Sequence, residues 1–134
     1  MKKKLDEIRL LIVDDSIVIN RKLRCLVGNL SFITQIAHAR NYKEAEIILD
    51  IMEPNALIVD IKMPGKSGID LLDRIRETSL DPFIIILTNH SESNYRDVCL
   101  KKGADYFLDK SAEFEKIPDL LALACGKESS WESA

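Results

Sequence analysis

The chain has 134 residues, 46% of them hydrophobic and 31% charged, with a formal charge of −3, as suits one globular domain around one core. No basic excess is available to neutralise phosphates, which argues against direct binding of nucleic acid or an anionic membrane. Cys25, Cys99 and Cys125 are odd in number and widely spaced, so neither a disulfide framework nor a zinc site is indicated, and buried thiols in a reducing cytoplasm are expected.

The opening MKKKLDEIR is basic, but Asp6 and Glu7 arrive before any apolar run, so neither export nor a membrane span is expected. RLLIV then reads as a strand covered on both faces. Ile19, Leu23 and Leu26 form a helical stripe after it. FITQIA is more polar and suits an edge strand. A second stripe, Ala45, Ile48, Leu49 and Met52, leads to the buried strand ALIV, and a third, Ile69, Leu72 and Ile75, to FIIIL. Tyr95, Val98 and Cys99 mark a fourth helix, and ADYFL after Gly103 a fifth strand. The last helix is expected to carry Pro118 in its first turn, where a missing N–H is harmless, and to bury Leu120, Leu121 and Ala124. The order is (βα)5.

Alternating strands and helices imply a parallel sheet with right-handed crossovers. Five units match the flavodoxin-like doubly wound α/β fold, with expected strand order 2-1-3-4-5. Residues 1–125 are expected to form the domain and 126–134, GKESSWESA, a polar tail.

In such a sheet ligands bind beyond the carboxyl ends of the strands. Asp14 and Asp15 follow the first strand, Asp60 the third, Thr88 the fourth and Lys110 the fifth. Three carboxylates within about 4 Å would repel by roughly 4 kcal/mol per pair at an effective dielectric near 20, so they need a cation. An all-oxygen cluster with open positions suits Mg²⁺. Taken singly, each residue has a plainer reading: Asp15 and Ser16 as helix caps, Asp60 as a turn residue, Lys110 as a solvated lysine. Their joint placement argues against coincidence. His38, after the edge strand, is expected at the surface and is assigned no role.

This set of Asp14, Asp15, Asp60, Thr88 and Lys110 resembles the active site of a response-regulator receiver domain. DIKMPGKSG, with Met63, Pro64 and Gly68, is similar to the family's loop after the acceptor, and GADYFLDK to its fifth strand. The resemblance runs from Arg9 to Ala124. It implies that a phosphohistidine on a histidine kinase or histidine phosphotransfer protein donates a phosphoryl group to Asp60. Asp14, Asp15, Asp60 and the Lys62 backbone carbonyl would hold Mg²⁺, while Thr88 and Lys110 would meet phosphoryl oxygens. Phe107, with Tyr106 beside it, would be the switch aromatic coupled to Thr88. Lys62 and His90 would flank the attacking water and tune the lifetime of the acyl phosphate. Beyond its own phosphorylation and dephosphorylation, no enzymatic activity is implied.

Two departures stand out. Ser111 replaces the usual proline after Lys110, where a trans bond is the default, and Asn89 replaces a smaller residue. The chain leaves little room after its last helix for an output domain, so signalling by docking to a protein target is expected, with Leu100 and Leu123 as candidate contacts. Rival readings are an aspartate-nucleophile phosphatase acting on small phosphate esters, which lacks its D-x-D here, and a phosphorylation-independent binding module.

Overall fold

A computed structural model describes residues 4–89 and 93–127. The strands are β1 (Ile8–Val13), β2 (Ile33–Ala39), β3 (Ala56–Val59), β4 (Phe83–Thr88) and β5 (Tyr106–Asp109). The helices are α1 (Ile17–Val27), α2 (Tyr42–Met52), α3 (Gly68–Arg76), α4 (Ser93–Lys101) and α5 (Ile117–Ala124), the last entered through one 3₁₀ turn at Phe114–Lys116. All strand pairs are parallel, in the order β2-β1-β3-β4-β5. This is the expected flavodoxin-like arrangement.

Residues alternate between the two faces of each strand, which divides the core in two. Leu11, Val13, Leu57, Val59 and Ile86 pack beneath α2, α3 and α4. Leu10, Ile12, Ile58, Ile85 and Leu87 pack beneath α1 and α5. Full burial of each such side chain is worth about 1.5–3 kcal/mol. Because β1, β3 and β4 are covered on both sides, their sequences read as nearly continuous apolar runs, with Arg9 the exception near the start of β1 and Thr88 at the end of β4. No described helix is long and apolar enough to cross a membrane.

Several expectations change in detail. Cys25 is exposed whereas Cys99 and Cys125 are buried, because α1 turns Leu23 and Val27 to the sheet and Cys25 to solvent. On α4, Cys99 is buried while Val98 is 39% exposed, so the stripe is narrower than its sequence suggests. Leu100 is exposed as expected, but Leu123 packs partly buried against the α1/α5 core. β2 runs on to Ala39 and therefore contains His38, which is partly buried rather than beyond the strand. Pro118 lies in the first turn of α5. Residues 128–134 of the expected tail lie outside the described residues.

Candidate functional site

The three inner strands, β1, β3 and β4, deliver buried polar side chains to one edge of the sheet. Asp14, Asp60 and Thr88 are 3%, 7% and 0% exposed. Each is held by its backbone: Asp14 N–H donates to the Ala39 carbonyl at 3.0 Å, Asp60 N–H to the Val13 carbonyl at 2.9 Å, and Lys110 N–H to the Thr88 carbonyl at 3.0 Å. The parallel ladder thus continues one residue past each strand and fixes where the side chains start.

Lys110 ties two carboxylates together. Its Nζ lies 2.6 Å from Asp14 Oδ2 and 2.9 Å from Asp60 Oδ2. Burial favours the neutral amine, but the bonds to Asp14 and Asp60 outweigh it and hold the Lys110 pKa above its ordinary value. For Asp14 burial dominates: it pushes the carboxyl upward against the bonds from Lys110 and from the Ser16 N–H, with the Asp60 charge adding to the rise. That Ser16 N–H donates to Asp14 Oδ1 at 2.9 Å. The Ser16 hydroxyl accepts from the Ile19 N–H at 3.2 Å and caps α1. Capping and site-building therefore coexist in one turn, through different residues.

Asp15 is exposed, and one carboxylate oxygen from each of Asp14, Asp15 and Asp60 lies within 4.8 Å of the others. With Lys110 the only cation bonded to this cluster among the described residues, three carboxylates share one ammonium. A donor set of oxygens alone, with negative charge in excess, fits a hard divalent cation. The cluster opens into a cleft of about 480 Å³ whose lining includes Asp15, Asp60, Lys62, Asn89, Lys110 and Ser111.

The loop from β3 to α3 is pressed against the acceptor position. Gly68 N–H donates to the Ile61 carbonyl at 2.8 Å, and a Cβ on Gly68 would sit 2.2 Å from the Asp60 carbonyl oxygen and 2.9 Å from Val59 Cγ1. Only glycine permits that approach. Ser67 and Asp70 form a reciprocal capping box that starts α3 at this point.

The remaining predicted residues divide. Lys62 is exposed and lines the cleft. Phe107 is 4% exposed within the α4-side core, and its carbonyl accepts from Arg96 Nη1 at 3.3 Å. It pairs with Ile86 while Thr88 pairs with Asp109, so Phe107 lies on the same sheet face, one layer beneath Thr88. Tyr106 is 38% exposed, with its ring centroid 5.9 Å from that of Phe83. His90 lies outside the described residues.

Two residues escaped the sequence reading. Among the described residues every peptide bond is trans, Lys110–Ser111 included, and Asp109 braces that loop. Its Oδ1 accepts from the Ser111 N–H at 2.8 Å and from the Ser111 hydroxyl at 2.7 Å. The D-x-S spacing of an Asx turn was a visible signal for this. The second is His38, whose Nε2 lies 2.7 Å from the Asp14 carbonyl oxygen; this contact depends on strand register, and the linear sequence carries no sign of it.

The profile of the response regulator receiver domain matches residues 10–122, and the chain belongs to that family. It is 30% identical over 121 residues to the nitrate/nitrite response regulator protein NarL of Escherichia coli K12, covering 89% of this chain and 55% of that protein. It is 33% identical over 109 residues to the transcriptional regulatory protein YdfI of Bacillus subtilis, covering 81% and 51%. The chain thus spans about half the length of these curated relatives. The response regulator domain of Thermotoga maritima CheB superposes with a TM-score of 0.76 at 25% identity, covering 88% of this chain and 93% of that one. The Francisella response regulator 1452 receiver domain shares the fold, with a TM-score of 0.80 at 22% identity, covering 90% and 98%.

Proposed function

We propose that the chain is a phosphorylation switch in which Asp60 is the acceptor. An Asp60 carboxylate oxygen attacks the phosphorus of a phosphohistidine; the new P–O bond forms as the P–N bond breaks, and the imidazole leaves with its electron pair and takes up a proton. The donor class is a histidine kinase or a histidine phosphotransfer protein. The observation that carries this reading is Lys110 bonded to both Asp14 and Asp60 at the floor of an open cleft that Asp15 also lines.

Asp14, Asp15, Asp60 and the Lys62 carbonyl would hold Mg²⁺, which when bound supplies charge neutralisation for the incoming phosphoryl oxygens. The chain's own residues do the rest. Lys110, released from Asp60 as that oxygen becomes esterified, pairs with a phosphoryl oxygen, and the Thr88 hydroxyl donates to another. Movement of Thr88 alters the layer above Phe107 and carries the change to α4. Output is docking to a protein partner rather than contact of this chain with nucleic acid, and no turnover of external substrate is assigned to it. A phosphatase acting on phosphate esters is disfavoured, since β1 ends in adjacent aspartates and the acceptor follows β3.

Intact mass after incubation with Mg²⁺ and acetyl phosphate tests the reading. One added phosphoryl group is expected on the wild-type chain and none on Asp60→Asn; incorporation at wild-type level in that variant refutes Asp60. A beryllofluoride mimic should shift amide signals at Thr88, Phe107 and α4. Lys62→Ala is expected to shorten the phosphorylated state and His90→Ala to lengthen it, each by several-fold, on the order of 1 kcal/mol in the barrier. Decay followed after donor removal, with lifetimes within twofold of wild type, would exclude both side chains.

A further inference from the structure

We propose that His38 is a positioning residue for the acidic turn, holding the Asp14–Asp15 peptide plane through its Nε2–H. This rests on the reading of Asp14 and Asp15 as cation ligands. His38 pairs with Ile12 across the β1/β2 ladder. The ladder's last bond runs from Asp14 N–H to the Ala39 carbonyl at 3.0 Å. The Asp14 carbonyl lies past the end of this ladder, since β1 has ended at Val13 and β2 at Ala39. The His38 ring reaches that oxygen, at 2.7 Å.

A carbonyl oxygen only accepts, so Nε2 carries the hydrogen and the ring tautomer is set by this bond. The peptide group is planar, and fixing the Asp14 oxygen also fixes the Asp15 nitrogen and Cα across it. Asp14 is further held at its side chain by Ser16 and Lys110, whereas Asp15 is exposed at the mouth of the cleft. The His38 bond is therefore the support that reaches the outer carboxylate. Outer supports of this kind typically change metal affinity by tenfold or more.

The test compares His38→Leu, which keeps bulk and loses the donor, with His38→Gln, whose amide can restore it. Magnesium affinity is read by calorimetry, and Asp14–Ser16 signals by NMR of the metal-free protein. His38→Leu is expected to weaken Mg²⁺ binding about tenfold and to move the Asp14–Ser16 signals; His38→Gln should return both towards wild type. Mg²⁺ binding by His38→Leu within twofold of wild type would overturn the proposal. So would nitrogen NMR of the wild-type ring placing the proton on Nδ1, a measurement that stands even if His38→Leu does not fold. If the wild-type chain takes up no Mg²⁺, the phosphorylation reading fails instead. His38 is then decided by the metal-free signals, which support its role if moved in His38→Leu and restored in His38→Gln, and refute it if unmoved.

Discussion

Lys110 serves as the resident counter-ion of the site. Removing one partner of a buried charge pair leaves the others uncompensated, at about 3–5 kcal/mol in a dry interior; beside an open cleft, roughly 2 kcal/mol is the expected loss for Lys110→Ala without metal. Magnesium should then raise the melting temperature of this variant more than that of the wild type, because the ion replaces the missing charge. Equal shifts in the two proteins would show that lysine and metal do not share the same carboxylates. The thiols give a second contrast at this scale. Burial pushes the Cys99 thiol up to about 11, and Cys125 is also buried and raised, while Cys25 is exposed. An aromatic disulfide reagent at pH 8 should titrate one thiol quickly in the folded protein and the other two only on unfolding; Cys25→Ser should remove the fast phase.

Turns connect those residues to the frame. A methyl on Gly68 collides with the Asp60 backbone, so Gly68→Ala must push α3 away from the end of β3, an overpacking cost of about 1–3 kcal/mol. Gly65 differs: its φ is +81° and nothing lies within 4 Å of the point a Cβ would occupy, so Gly65→Ala costs only backbone strain, about 1–2 kcal/mol. Acetyl phosphate labelling should slow in the Gly68 variant and stay near wild type in the Gly65 variant, even when their stabilities match. Equal labelling rates would remove Gly68 from the positioning of Asp60.

The five-residue set was legible in the sequence because every member lies at the end of a strand-like run or within two residues of it, and a parallel ladder leaves little freedom in where those side chains emerge. Asp14, Asp60 and Lys110 meet for this reason. Helix faces are less sharply legible: one residue of rotation separates exposed Val98 from buried Cys99, whereas on α1 the stripe of Ile19, Leu23 and Leu26 does pack on the core and Val27 joins it. His38 could not be seen, since its partner is a backbone atom brought near by the register of β1 against β2. Of the site as a working device, the sequence supplies the charges; the loop braces at Asp109 and the glycine contact at Gly68 become visible only in three dimensions.

Across the whole molecule, β1, β3 and β4 are shielded by helices on both faces and paired on both sides. Their amides should exchange only by global opening, whereas those of β2 and β5 should exchange earlier through local opening. Uniform exchange across all five strands would contradict this order. The two borders of the sheet have another effect. β5 is four residues long, and β2 exposes Thr34 and Gln35; a short border and a polar one are poor templates for adding a further strand. Edge-to-edge aggregation is thereby discouraged by the borders themselves, and concentrated solutions should scatter light no more than a monomer or a discrete oligomer requires. Association of this chain is left to its helices and its loops.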